Sequence, residues 1–140
     1  MKKMKSLILT LVLASVAFSC KKSDPAVDPK VAIIGKWRIT ASSLVLGGVT
    51  LDVFAQTPAC EKDNYTEFRN PNIAIEDEGA TKCNASDPQQ VRSGTWVLNA
   101  DNTLLTLDGD AATVLELNNS TLRLRVTDAG IVGNVTYTKI

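Results

Sequence analysis

Histidine is missing from all 140 residues. Its absence excludes Ser-His-Asp and Cys-His nucleophilic machinery, imidazole-ligated zinc and the usual general base near neutral pH. Carboxylates alone can support some catalysis, but here they are scattered, so neither an enzyme nor a cofactor is expected. An excess of positive charge is also lacking. The chain has 15 basic and 15 acidic residues, and three of the basic ones (Lys2, Lys3, Lys5) lie in the leader. The remainder therefore carries 12 against 15, a net charge of −3, which argues against nucleic acid as a partner. Cysteine is scarce, at three residues, with no Cys-x-x-Cys pair. Aromatics make up only 5%.

Long apolar runs are missing too, apart from one. Leu7 to Phe18 is interrupted only by Thr10 and Ser15 and follows the basic Met1-Lys2-Lys3-Met4-Lys5. It is too short for a comfortable membrane-spanning helix and reads as the core of an export signal. The alternatives are an ordinary secretory signal or a buried helix, with Cys20 incidental. Ala17-Phe18-Ser19-Cys20 resembles a bacterial lipobox, with Ala17 where the commonest form has Leu. That resemblance implies that Cys20 becomes the mature N-terminus, with a diacylglyceryl thioether and an acylated amine carrying chains such as palmitate. Two or more chains suffice for stable membrane anchoring, at about 0.8 kcal/mol per buried methylene. The expected organisation is a signal peptide over 1–19, lipidated Cys20 and a flexible tether over 20–32, and one domain over 33–140. The expected location is the bacterial cell envelope, at the outer membrane, on its periplasmic or surface face.

Beyond the tether the hydrophobic period is two rather than 3.6. A first strand over Gly35–Leu46 places Trp37, Ile39 and Ala41 on one face; Gly47-Gly48 turns it into a short return strand ending at Val53. Residues 54–59 are unpatterned, and Pro58 argues against a central strand there. Further strands are expected over 63–68, 72–77, 94–98 and around Leu105 and Leu107. The last three place Thr113, Leu115 and Leu117, then Leu122, Leu124 and Val126, on one face each and end with residues 135–138. Turns fall at Asp108-Gly109-Asp110 and Asn118-Asn119-Ser120, the latter because asparagine tolerates left-handed backbone. Eight or nine short strands without helical periodicity define an all-β, antiparallel domain. Closure into a barrel removes exposed edges, and a sandwich gives the same pattern.

Gly35-Lys36-Trp37 near the start of a small all-β exported domain is similar to the Gly-x-Trp motif of lipocalins. With Cys60 to Tyr65, Asp77 to Cys83, Gly94-Thr95-Trp96 and Leu105-Thr106-Leu107, the ordered set resembles the lipocalin-like lipoproteins of Bacteroidetes-type bacteria. The resemblance implies an up-and-down barrel without the C-terminal helix of animal lipocalins. It implies no particular ligand, because fold analogy does not specify function.

Once Cys20 carries lipid, Cys60 and Cys83 form an even pair, read most simply as a disulfide contributing about 3 kcal/mol. Trp37 and Trp96 are expected as core plugs at the closed end, with Gly35 and Gly94 letting the backbone approach each indole; a ligand-stacking role is the alternative. Tyr65, Phe68 and Tyr137 are candidates to line a cavity, and Phe54 to cover it. Glu76-Asp77-Glu78 with Asp63 admits an oxygen-ligand cation reading, but the spacing fits a solvated strand end and turn better, and no metal is expected. The functional expectation is a membrane-anchored carrier of a small hydrophobic ligand. The alternative is a filled barrel acting as a scaffold for a protein partner that the sequence does not identify.

Overall fold

The computed structural model describes residues 28–140. Nine antiparallel strands form one sheet: β1 (Gly35–Leu46), β2 (Val49–Asp52), β3 (Tyr65–Arg69), β4 (Ile73–Asp77), β5 (Gln90–Leu98), β6 (Leu104–Leu107), β7 (Asp110–Leu117), β8 (Thr121–Asp128) and β9 (Ile131–Lys139). Each strand from β3 to β9 pairs with the next, and β1 pairs with both β3 and β9. This closes eight strands into a barrel and resolves the choice left open by periodicity: it is a barrel, not a sandwich. β2 remains outside the closed ring, paired only with the distal part of β1 from Ser43 to Leu46.

One end of the barrel, the base, is densely packed. Ile33, Trp37, Phe68, Leu105 and Leu122 are fully enclosed there, with Trp96, Leu98, Ala112 and Leu124 beside them. Phe68 meets Trp96 edge-on, with ring centroids 5.7 Å apart. Both indoles find acceptors: Trp37 Nε1 donates to Ile33 O at 2.7 Å and Trp96 Nε1 to Arg69 O at 3.1 Å. The other end, the mouth, carries the two-residue turns Gly47-Gly48, Asp108-Gly109 and Ala129-Gly130, each with positive φ at both positions, as tight hairpins require.

Several expectations are corrected. Of the expected tether, residues 28–32 are structured: Asp28 caps the helical turn α1 (Pro29–Ala32), accepting from Lys30 N at 2.9 Å, and Ala32 is buried. Two more helical turns, α2 (Val53–Gln56) and a 3₁₀ turn (Ala59–Glu61), occupy the stretch read as unpatterned. Strict alternation also fails at two register shifts. One between Ile39 and Ala41 leaves Ala41 exposed and brings Ser42 and Leu44 to the cavity wall; the other, between Val114 and Glu116, leaves Leu115 exposed while Val114 and Leu117 pack on the core. Val126 runs out past the core and is exposed. The Asn118 turn needs no left-handed asparagine. Its side-chain Oδ1 accepts from Ser120 N at 2.9 Å and Thr121 N at 2.8 Å.

The two glycines preceding the tryptophans serve purposes other than indole approach. A Cβ on Gly35, at φ +125°, would meet Lys139 Cε at 2.9 Å. Lys139 crosses there to donate to Ala32 O at 2.7 Å, with its ammonium 5.1 Å from the Trp37 ring. Burial lowers the Lys139 pKa. A Cβ on Gly94 would overlap the Asp108 carboxylate, which accepts from Thr95 N at 2.6 Å and so ties the β6–β7 turn to β5.

Candidate functional site: a cavity in the barrel mouth

Cross-strand partners share a face, so the pairing fixes what looks inward. Trp37 pairs with Thr66, Thr66 with Glu76, and Ile39 with Tyr137. These residues line a cavity of about 660 Å³ between β1, β3, β4 and β9, a size that suits a small organic ligand. Trp37 lies at its floor, where the packed base begins. Ile39, Leu44 and Val135 supply apolar wall, and Val91 adds to it from the start of β5.

Two loop segments roof the cavity. The first is α2, whose Asp52 N-cap accepts from Ala55 N at 2.9 Å; it brings Val53 and Phe54 over the mouth. Lys62 Nζ sits 5.1 Å from the Phe54 ring and holds it from outside. The second is the 78–89 connection, which contributes Glu78, Cys83 and Asp87. A Cys60–Cys83 disulfide, spanning 23 residues, joins the 3₁₀ turn that follows α2 to the second segment.

The roof is further tied down by carboxylates. Asp63 accepts from Ala80 N at 3.0 Å, Thr81 N at 2.9 Å and Thr81 Oγ1 at 2.8 Å. The hydrogen bond from the Thr81 hydroxyl is the main reason its pKa lies below the usual aspartate value. Asp77 Oδ1 accepts from Gln89 Nε2 at 2.7 Å and Gly79 N at 2.9 Å. Desolvation opposes ionisation of Asp77, but these donors outweigh it and hold its pKa low. Both groups are thus structural caps. Among the described residues no cluster of carboxylate or cysteine side chains is arranged to hold a metal ion.

Of the aromatics expected to line a cavity, Phe54, Tyr65 and Tyr137 do so. Phe68 does not; it belongs to the packed base against Trp96. Tyr65 borders the cavity while its hydroxyl accepts from Lys36 Nζ at 3.1 Å, which raises the lysine's pKa. The Tyr137 hydroxyl makes no hydrogen bond to the described residues. Burial, and secondarily the charge of Glu76, pushes its pKa up to about 12. Trp37 both plugs the core and floors the cavity, whereas Trp96 only plugs the core. Sequence reasoning missed Ser42 and Leu44, which a strict period of two places outside, and Val91, because β5 starts at Gln90 rather than Gly94. The α2 roof had one readable signal, the capping residue Asp52. Cys20, like the expected signal peptide, lies outside the described residues.

A small closed antiparallel barrel with a plugged base and an open, roofed mouth defines a cup-shaped, lipocalin-type fold. A family model for the lipocalin-like domain matches residues 33–124, about two thirds of the chain, and the chain belongs to that family. The match ends within β8, so the closing strand β9 lies beyond it. No curated protein matches the chain.

Proposed function

We propose that this protein is a lipid-anchored lipoprotein of the bacterial cell envelope, at the outer membrane, whose barrel carries a small molecule with a largely apolar body. It is a binding protein rather than an enzyme. The observation that carries the binding half of this reading is the cavity of about 660 Å³ above Trp37, walled by Ile39, Leu44 and Val135. An interior plugged by side chains throughout would have argued for a scaffold. The anchoring half rests on the signal-like leader and Cys20.

Native mass spectrometry of the protein purified from its own host tests the first half. A retained small mass, lost on denaturation, supports the carrier reading; a bare protein mass from folded, disulfide-bonded protein argues against it. Membrane fractionation of the Cys20→Ala variant tests the second half. Release into the soluble fraction is expected, and persistence in the membrane pellet counts against the anchor. A second reading, a non-enzymatic scaffold, is favoured by the β1–β2 hairpin, where Leu46 (56% exposed), Val49 (60%) and Leu51 (47%) face solvent. Crosslinking at the envelope through this hairpin distinguishes it.

A further inference from the structure

The cavity lining is one-sided in charge. Glu61, Glu76, Asp77, Glu78 and Asp87 border it, and no lysine or arginine does. The nearby cations already have partners, and Arg92 pairs with one of these carboxylates. Lys36 donates to Tyr65 at 3.1 Å, Lys82 to Asp87 O at 2.7 Å and Arg92 to Glu76 Oε1 at 2.8 Å, while Lys62 lies against Phe54. The Glu78 and Asp87 carboxylates make no hydrogen bond or ion pair with the described residues. The Oε2 atom of Glu76 accepts no hydrogen bond from them either.

One further polar group is left open at the same place. The Tyr137 hydroxyl, on the cavity wall, has no hydrogen-bond partner among the described residues and can accept from a ligand's N–H group. The apolar and acidic parts of the lining come from different elements: Ile39, Leu44 and Val135 from β1 and β9, and Glu76, Asp77, Glu78 and Asp87 from β4 and the roof loop that follows it.

We infer that the cavity selects an amphipathic cation, an apolar body bearing an ammonium or similar N–H head, seated with the body over Trp37 and the head among Glu76, Glu78 and Asp87. This rests on the carrier reading and deepens it by naming the ligand's charge. Three probes that share a chain and differ in head group test it: decylamine, decanol and decanoate, each titrated into the purified protein by calorimetry near neutral pH. Decylamine is expected to bind about tenfold more tightly than decanol, decanoate most weakly, and added salt to weaken decylamine alone. The double variant Glu78→Gln, Asp87→Asn should remove most of the preference for decylamine over decanol, and a preference that survives it intact counts against the carboxylates as the head-group site; neither side chain makes a hydrogen bond or ion pair with the described residues. Equal binding of decylamine and decanol, or tighter decanoate, overturns the cation inference and leaves the carrier reading standing. Failure of all three probes to bind overturns both.

Discussion

The base and the mouth of this barrel are built on opposite principles. At the base, apolar side chains interdigitate, and each indole N–H is satisfied by a backbone carbonyl. At the mouth, short helical turns and loops are held by a disulfide and by carboxylate caps around an open space. The contrast separates two roles that the same closed sheet performs. Packing energy concentrated at the base keeps the ring closed, which frees the mouth to keep a void that a uniformly packed core of this size would fill.

If that division is right, Phe68→Ala has the largest effect on stability. It empties the space against Trp96 and is expected to cost about 3–5 kcal/mol in denaturant unfolding. Ligand affinity of the fraction that remains folded should hardly change, because Phe68 lies outside the cavity lining. A small stability loss with a large binding loss would erase the distinction between the two ends. Next in size is the Cys60→Ala, Cys83→Ala pair, at about 3 kcal/mol in the loop-entropy model. Hydrogen exchange should then show deprotection at 53–64 and 78–89 before the base strands. Uniform loss across the barrel would mean that the mouth is not an independent layer.

The base was far more legible in sequence than the mouth. Trp37, Trp96, Leu105, Leu122 and Leu124 follow a period of two in regular strands, and that period reports burial directly. The Cys60–Cys83 pairing followed from the expectation that Cys20 carries lipid, which leaves two cysteines to pair. What stayed hidden depends on irregularity. The register shift after Ile39 moves Ser42 and Leu44 inward, and no residue at that point announces it. Phe68 alternates like a lining residue, and only the level at which β3 crosses the barrel places it in the base instead. The roof turn α2 is four residues long, too short for a helical period to show, so Asp52 alone marks it.

A smaller effect is expected from Asp63→Asn, and pH sharpens it. The Asp63 pKa is depressed in the folded state, chiefly by the Thr81 hydroxyl. Its stabilising contribution is therefore present above the unfolded value near 3.8 and is lost as pH falls through the lower folded value. Thermal melts of the parent protein should fall in this acid range. The Asp63→Asn variant should begin lower at neutral pH and show less of that acid-dependent drop. An equal acid-dependent drop in both proteins would mean that the Asp63 cap does not couple the mouth to pH.

Phe54→Ala should have the smallest effect on stability and the clearest effect on function. Phe54 is part of the roof rather than the core, and its ring is held by Lys62 from outside. Losing that contact costs about 0.5–1 kcal/mol. The same deletion removes apolar surface from directly over the cavity, so ligand dissociation should quicken while association stays close to the parent rate. Stopped-flow kinetics with a bound probe separates the two rates. A roof that only decorates the mouth would leave both unchanged, and the cup would then owe its selectivity to its walls alone.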